Sequence, residues 1–347
     1  MNFRRVGILC NPNSGCGKDR VFELTQQAFE CLHPQVPEIM VGPGYLGEVV
    51  CTGRNVTVIG QNSSGSRIDT IETTKQMVQK GVELFVIVSG DGTYNDAVEG
   101  MKSVGVTLPI FGIAAGRFNA ICPKRKLNPF VSMRGDFRPF SVDDLVVEDV
   151  MGIVSRVNDE VVSYGFFWAV VCNSLAYTDE QGSFMTIDAA QYINGKIIPV
   201  KELQPVATEA TRVVLLSNKV GEVELASGPN IAMPIVSPLV DEINYVVAGG
   251  FGMFAKIMGF HGVAYCFTNP KIEFMPNQDL FPIETKSVAF YEGDKIRCTG
   301  LRNGSVFQVD STAICRVAFK DVLIMEIVLK LGKKAQLKPF RYGDQGR

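Results

Sequence analysis

Three short segments of the sequence combine glycine with small polar side chains, and each of them follows an apolar run. They are residues 11–18 (NPNSGCGK), 89–96 (SGDGTYND) and 112–119 (GIAAGRFN). A glycine-rich turn before a helix directs backbone N–H groups toward an anion, which is how many proteins bind phosphate. Asp91 lies between two glycines, where its carboxylate could accept a hydroxyl proton or orient Mg²⁺. The residue types therefore indicate phosphoryl chemistry.

Each segment also has a purely structural interpretation, and the sequence leaves both open. Residues 11–18 could form an ordinary strand-to-helix turn in which glycine adopts a positive φ. Asp91 could cap the helix that follows it, and Arg117 could be an exposed loop residue. The context of Asp91, between an apolar strand and a helical stretch, favours chemistry for the second segment.

Other common sites are excluded by the residues present. Residues 11–18 are not a Walker loop, because Pro12 stands where glycine is needed and Asp19 replaces Ser or Thr. Residues 42–47 (GPGYLG) match the dinucleotide-binding pattern GxGxxG, but no helix is predicted directly after them, so this match carries little weight. With two histidines and no Cys-x-x-Cys pair, the chain lacks the groups for a zinc centre or a hydrolase triad.

The composition is typical of a globular chain with two domains. It has 347 residues, of which 46% are hydrophobic and 20% are charged, and its net charge is −2. These values exclude disorder and a broad basic surface for nucleic acid. Nine cysteines and no recognisable signal peptide lead us to expect a reduced, cytoplasmic protein. No clean apolar run reaches the roughly 20 residues that span a bilayer.

The order of the predicted elements indicates an α/β domain followed by a β-rich one. Apolar strands such as 5–10 (RVGILC) and 82–88 (VELFVIV) alternate with helical stretches, which is typical of an open, mainly parallel sheet with helices on both faces. The helical stretches are 19–32, 68–80 and 94–101. Later apolar runs, such as the predicted strands 161–172 and 211–225, are separated by turn residues and predict a β-rich, sandwich-like domain. We therefore expect domains at 1–129 and 130–330 and a basic tail at 331–347.

The three glycine-rich segments, in this order, resemble the NAD kinase/diacylglycerol kinase superfamily. Residues 11–15 (NPNSG) are similar to its Asn-Pro-x-Ser-Gly loop, 89–100 (SGDGTYNDAVEG) to its Gly-Gly-Asp-Gly-Thr-x-Asn-Glu segment, and 112–119 to its Gly-Ile-x-Pro-x-Gly-Thr-x-Asn loop. Residues 226–238 and 307–310 (FQVD) resemble the second domain of the lipid kinases. The resemblance implies an α/β nucleotide-binding domain, a β-sandwich-like domain, and an active site for ATP and Mg²⁺ in the cleft between them.

The resemblance also implies roles for individual residues. Asp91 would act as the base or orient Mg²⁺, and Asp310 is a second candidate metal ligand. The residues expected to contact the nucleotide are Asn11, Ser14, Gly15, Gly90, Gly92, Thr93, Asn95, Gly116, Arg117 and Asn119. Three positions depart from the family pattern: Arg117 replaces Thr, Ala120 replaces Asp, and Thr312 stands where lipid kinases have the Glu of Asp-Gly-Glu. These departures leave Asp91 as the only carboxylate of the family motifs that could act as the base. They are also compatible with weak or absent kinase activity.

A lipid-like hydroxyl, of the kind used by diacylglycerol and sphingosine kinases, is the favoured acceptor, because the second domain resembles the lipid kinases. The 2′-hydroxyl of NAD(H) is the alternative, since residues 41–48 and 68–77 resemble divergent ATP-NAD kinase-like proteins. A third interpretation is a non-catalytic nucleotide sensor on the same fold. The expected partners are a small-molecule or lipid acceptor and further copies of the chain in a homo-oligomer, with peripheral membrane contact and no nucleic acid.

One apolar stripe in the second domain has two interpretations. It comprises Phe251, Met253, Phe254, Ile257, Met258 and Phe260, together with Lys256. Such a stripe could dock on a membrane surface. Because stripes of this kind are more often packed core, we expect core here.

Overall fold

The computed structural model describes residues 3–61, 66–116, 137, 139–171, 174–178, 184–199, 210–239, 254–268, 284–310 and 312–337. These residues form two compact units. The first unit contains the described residues up to 150 together with 332–337, and the second contains those from 151 to 331. The first unit thus extends past the boundary expected at residue 129 and also includes residues 332–337, from near the end of the chain.

The first unit consists of short strands that alternate with helices. Its strands are β1 (Arg5–Cys10), β2 (Glu38–Val41), β3 (Thr57–Val58), β4 (Leu84–Ser89) and β5 (Pro109–Ala114), and its helices are α1 (Lys18–Leu32), α2 (Arg67–Gln79) and α3 (Asp91–Ser103). Two single 3₁₀ turns lie at Gly44–Leu46 and Val142–Asp144. The predicted strands and helices of this region are all present, whereas β2 was not predicted.

The strands of the first unit form one parallel sheet in the order β3-β2-β1-β4-β5. Residues 333–335 of the last strand, β18 (Leu323–Leu337), extend this sheet by pairing in parallel with β5. The expected open, mainly parallel sheet is therefore confirmed. Because β1 has β2 on one side and β4 on the other, the direction in which strands are added reverses between β1 and β4.

Helices cover both faces of this sheet. The apolar face of α1, with Val21 and Leu24, belongs to the same core as Val6 and Ile8 of β1. Gly7 points to the opposite face, where an added Cβ would lie 3.0 Å from Met77 Sδ of α2. This alternation along β1 is what a strand buried between two helical layers requires.

The second unit is antiparallel and rich in strands. Its elements are β6 (Leu145–Val157, which begins in the first unit), β7 (Glu160–Gly165), β8 (Ala169–Val171), β9 (Ser174–Thr178), β10 (Phe184–Asp188), α4 (Ala189–Ile193), β11 (Ala210–Ser217), β12 (Gly221–Pro238), β13 (Gly262–Thr268), β14 (Glu284–Phe290), β15 (Lys295–Leu301), β16 (Ser305–Val309), β17 (Thr312–Val317) and the start of β18. Neighbouring strands follow the order β17-β16-β8-β12-β11-β15-β18. Side chains from β8, β11, β13, β15, β16 and β18 share one apolar core. The expected β-rich second region is confirmed.

Several element bounds differ from those predicted. Residues 211–225, predicted as one strand, form the hairpin β11–β12, and residues 161–172 divide into β7 and β8. Residues 331–337, expected to begin a basic tail, continue β18, because Leu331 and Ala335 are buried in strand pairing rather than solvated. The rest of that expected tail, 338–347, lies outside the described residues.

The expectation of packed core for the apolar stripe is wrong for three of its members and holds for Phe260, which is half-buried against a small core. Phe254, Ile257 and Met258 lie on or beside a helical turn at 254–257 and are exposed. Phe251 and Met253 lie outside the described residues. Within the described part of the chain, no helix is both long and apolar enough to cross a bilayer.

Candidate phosphate-binding site

The predicted glycine-rich segments follow strands β1, β4 and β5, which are neighbours in the sheet. Parallel α/β sheets bind ligands beyond the carboxyl ends of their strands, at the point where the strand order reverses. In this sheet that point lies between β1 and β4. The topology therefore brings residues 11–17 and 89–93 together at the edge where a ligand is expected, with residues 114–116 beside them.

The segment after β1 is a tight turn tied to the segment after β5. The Ser14 N–H donates to the Asn11 carbonyl at 3.0 Å, and the Asn13 N–H donates to the Asn11 side chain at 3.0 Å. The Cys16 N–H donates to the Ala115 carbonyl at 2.9 Å. Gly15, which was predicted to contact the nucleotide, is buried within this turn. The turn is consequently held in place by backbone contacts rather than by its side chains alone.

A chain of hydroxyl groups joins this turn to the start of α3. The Ser89 hydroxyl donates to Thr93 Oγ1 at 2.6 Å, and Ser14 Oγ lies 3.0 Å from Ser89 Oγ. Asn11 Nδ2 donates to the same Thr93 oxygen at 3.1 Å. Since Ser89 gives its proton to Thr93, Ser14 must donate to Ser89. Thr93 accepts two hydrogen bonds, which leaves its own O–H proton for an acceptor outside this network.

Asp91 lies in the first turn of α3 and is 5% exposed. The glycines around Asp91 suggested a loop. The structure instead places Asp91 at the N-terminus of a helix. Asn95 is buried on the same helix. A carboxylate at this end of a helix is stabilised by the partial positive charge of the helix dipole.

Gly90 and Gly116 allow two segments to approach each other closely. A Cβ added to Gly90 would lie 3.0 Å from Gly116 Cα. Any other residue at position 90 would push the turn after β4 away from the segment after β5. The two glycines thus form a cradle that a side chain would fill, as expected where backbone must come near a ligand. Gly92 follows in the first turn of α3 and is half-buried.

The two helices that begin at this edge start differently from the third helix of the unit. Helix α1 follows Gly17 and α3 follows Gly90, and no side chain caps either start. Helix α2 begins with a capping box in which the Asp69 carboxylate accepts the Ser66 N–H at 3.2 Å. The first N–H groups of a helix lack partners within the helix. Backbone N–H groups at helix starts of this kind are a common binding site for an anion such as phosphate.

A lysine adds positive charge beside the start of α1. Lys18 Nζ lies 4.5 Å from the Tyr45 ring centroid and 5.7 Å from that of Phe22. Tyr45 belongs to residues 42–48, the segment after β2. Cys10 Sγ donates to the Tyr45 carbonyl at 3.1 Å, so this segment lies near the end of β1. This segment forms a 3₁₀ turn. It is not a phosphate-binding loop between a strand and a helix, in agreement with the prediction that its GxGxxG match carries little weight.

Asp96 anchors α3 to α2, a role that the sequence did not reveal. Arg67 Nε donates to Asp96 Oδ1 at 3.1 Å, and Arg67 Nη2 donates to Glu99 Oε2 at 2.6 Å. Burial raises the pKa of Asp96 to about 7, although the Arg67 guanidinium opposes this shift. An arginine at a helix start, 29 residues before an aspartate, carries no local sequence signal of this pairing.

Asp310 has a structural role in the second unit. It has a φ of 49° between β16 and β17, and its carboxylate accepts the N–H groups of Phe166 at 2.7 Å, Phe167 at 2.9 Å and Trp168 at 2.8 Å. Ser237 Oγ donates to the Phe167 carbonyl at 2.9 Å. These contacts account for the burial of Asp310 and hold the segment between β7 and β8. Metal binding by Asp310 remains a prediction.

Three residues of interest fall outside the described part of the chain: Arg117, Asn119 and Ala120. Thr312 begins β17 directly opposite Val309. Among the described residues, no group of three His, Cys, Asp or Glu side chains is arranged to hold a metal ion. Mg²⁺ commonly binds through one or two carboxylates, waters and substrate phosphates. The donor set around Asp91 fits Mg²⁺ held in this way, with phosphate oxygens as further ligands.

Comparisons with known proteins give one family match and several similar solved structures. Residues 6–122 match the family of ATP-NAD kinase N-terminal domains. A solved structure assigned as a diacylglycerol kinase from Bacillus anthracis aligns with a TM-score of 0.53 and 11% identity, over 98% of this chain and 99% of that one. Yeast NADH kinase, solved with NADH, aligns with a TM-score of 0.49 and 10% identity, over 98% of this chain and 84% of that one. No curated protein sequence matches the chain.

The family match confirms the predicted resemblance to NAD kinases over residues 6–122, and the first of these structures shows a similar fold. The family matched is one of kinases, which supports a phosphotransferase role for this chain. The match includes all three glycine-rich segments, whose described parts meet at the edge of the sheet.

Proposed function

We propose that this protein transfers the γ-phosphate of ATP to a hydroxyl group, with Mg²⁺ as the accompanying metal. The observation that carries the proposal is the meeting of two uncapped helix starts, those of α1 and α3, at the point where the strand order reverses. Their N–H groups, the cradle at Gly90 and the Thr93 hydroxyl proton suit the oxygens of a polyphosphate. Mg²⁺ would neutralise charge on those oxygens.

Asp91 is the proposed base. Its carboxylate accepts the proton of the acceptor hydroxyl while that oxygen forms a bond to the γ-phosphorus. The bond between the γ-phosphorus and the bridging oxygen breaks, and ADP leaves with that oxygen. Asn11 and Ser14 fix Thr93 and Ser89 through the hydroxyl network, so that the phosphate-binding groups keep their places during the reaction. Asn95, Gly116, Arg117 and Asn119 complete the proposed nucleotide site.

A lipid-like hydroxyl is the favoured acceptor. The second unit carries an exposed apolar turn at 254–257, which suits a protein that meets its acceptor at a lipid surface. The 2′-hydroxyl of NAD(H) is the second candidate, because the family matched over residues 6–122 is that of ATP-NAD kinases. We keep a cytoplasmic location and a homo-oligomeric state as predictions from the sequence.

The test is transfer of label from γ-labelled ATP in the presence of Mg²⁺, with diacylglycerol, sphingosine, glycerol, NAD and NADH as acceptors. The wild type is compared with Asp91→Asn and with Asp159→Asn, an exposed turn aspartate that serves as the matched control. Label in an organic-phase product identifies a lipid kinase, and label in NADP or NADPH identifies an NAD kinase. Binding of ATP without transfer to any acceptor would contradict the proposal and favour the nucleotide sensor.

A further inference from the structure

A helical turn in the second unit projects large apolar side chains into solvent. Phe254, Ile257 and Met258 are 58%, 78% and 56% exposed. They are spaced at i, i+3 and i+4, so they lie on one side of the turn. Ala255 is fully buried on the other side, in a small core with Leu239 and other residues. The turn is therefore anchored by its inner side, and its apolar outer side has no covering among the described residues.

A second exposed turn lies next to this one. The Phe260 ring, which follows the helical turn, is 4.7 Å from the Tyr291 ring. Lys219 Nζ lies 3.3 Å from the centroid of that same tyrosine. Lys219 and its neighbour Val220, 68% exposed, form the tip of the β11–β12 hairpin. Tyr291 thus links the two turns into one surface, which we call the 254/220 surface.

The sequence around the apolar turn has lysines and no acidic residue. The 30 residues from 243 to 272 include Lys256, Lys271 and His261 and no Asp or Glu. Lys256 is on the helical turn itself and is exposed. Glu292, the acidic neighbour of Tyr291, uses Oε1 to accept the Leu329 N–H at 2.9 Å. Apolar side chains flanked by lysine and an aromatic ring are typical of segments that lie in the interface of an anionic membrane.

We propose that the 254/220 surface docks this protein on a lipid bilayer that contains anionic headgroups. Phe254, Ile257, Met258 and Val220 enter the headgroup boundary, and Lys219 and Lys256 contact the lipid phosphates. Four apolar side chains suffice for reversible membrane binding. The lysines supply the charge complementarity that selects an anionic bilayer.

The test is cosedimentation of the full chain with vesicles of phosphatidylcholine, with and without phosphatidylglycerol, in the absence of ATP. We expect binding that is stronger on the anionic vesicles and weaker at high salt. The triple variant Phe254→Ser/Ile257→Ser/Met258→Ser should lower binding by about a hundredfold, given the apolar area it removes. Lys256→Gln should lower binding to anionic vesicles by about fivefold and leave the weak binding to neutral vesicles unchanged.

The matched control is Ile197→Ser/Ile198→Ser, which removes two comparably exposed apolar side chains elsewhere in the second unit. This variant should bind vesicles like the wild type. Equal loss of binding in both variants, or no binding by the wild type, would overturn the proposal. A change from dimer to monomer in the triple variant without any loss of vesicle binding would show an interface between copies and would also overturn it. Since ATP is absent, the result stands apart from that of the kinase assay.

Discussion

Two buried aspartates, one in each unit, follow apolar strands and resemble each other in the sequence, yet their surroundings differ. Asp310 is 7% exposed, and its two oxygens accept three backbone N–H groups from residues 166–168. Asp91 is 5% exposed and lies at an uncapped helix start, next to the hydroxyl network and the Gly90 cradle. The first aspartate stabilises a local turn. The second lies where the topology of a parallel sheet places ligands.

The difference shows that burial and motif likeness do not by themselves identify a catalytic carboxylate. The two aspartates differ in their position: Asp310 lies in a turn between antiparallel strands, and Asp91 lies at a helix start at the carboxyl edge of the parallel sheet. Asp310 has short contacts to its own chain that account for its position. Asp96 is a third case, since it is buried against Arg67 and joins two helices. We therefore propose reaction chemistry for Asp91 and a stabilising role for Asp310 and Asp96.

The largest expected effect is that of Asp91→Asn on turnover. Asparagine has the same size and cannot accept a proton from the acceptor hydroxyl. Loss of a general base lowers kcat by about 10³-fold, while ATP binding and thermal stability should change little. Steady-state kinetics and calorimetric titration with ATP would measure both quantities. An Asp91→Asn protein with turnover near that of the wild type would disprove the assignment of the base.

The second effect concerns pH and stability. Burial raises the pKa of Asp96 to about 7 in the folded protein, above its ordinary value of 3.8. The folded state therefore holds this proton more tightly than the unfolded state. Stability from this group is greatest below about pH 4 and is lost as pH rises toward 7. Urea unfolding across this range should show a smaller fall in the free energy of unfolding for Asp96→Asn than for the wild type; parallel curves would contradict the prediction.

Asp310→Asn should affect stability and spare the reaction. An amide group would replace one acceptor oxygen and would face backbone N–H groups, at a cost of about 2 kcal/mol in the free energy of unfolding. Asparagine tolerates the positive φ of this position, so strain adds little. Chemical denaturation measures the stability, and kcat per folded molecule should match that of the wild type. A loss of turnover at full stability would return Asp310 to the candidate metal ligands.

The smallest effect is expected for Gly90→Ala. The added methyl would meet Gly116 Cα at 3.0 Å and widen the cradle. We expect ATP to bind about tenfold more weakly, because overpacking of about 1–3 kcal/mol displaces the phosphate-binding N–H groups. The control is Gly105→Ala: its φ of 72° strains an alanine and lowers stability, but the added Cβ meets open space, so this variant measures the effect of lost stability alone. Equal ATP affinity in wild type and Gly90→Ala would remove the cradle from the proposed site.

The first unit could be predicted well because the residues that define its strands, turns and helices are adjacent in the sequence. Strand β4 is an apolar run, the glycines follow it directly, and α3 follows them. Strand β2 was missed, because its four residues (EIMV) are followed by a Gly-Pro turn and are too few to show a hydrophobic periodicity. Strand β18 was missed because lysines at its end suggested a solvated tail, although alternate residues such as Leu323, Met325 and Ile327 are buried.

The roles of Asp310 and Asp96 could not be predicted, since their partners are distant in the chain. The amides that bind Asp310 lie 142–144 residues earlier. A buried aspartate after an apolar strand is an ambiguous signal, because such a carboxylate could bind either a metal ion or backbone N–H groups. The exposed turn at 254–257 was misjudged for a related reason: an apolar stripe shows which side chains share a face, but not whether that face is covered.

The central claim is that phosphates bind at the uncapped starts of α1 and α3. Hydrogen–deuterium exchange of the wild type, with and without ATP and Mg²⁺, tests it most directly and needs no acceptor. We predict slower exchange on ATP addition in peptides that cover residues 11–18 and 89–95, and unchanged exchange in those that cover 164–168 and 305–310. Protection around Asp310 without protection at 11–18 and 89–95 would contradict the account.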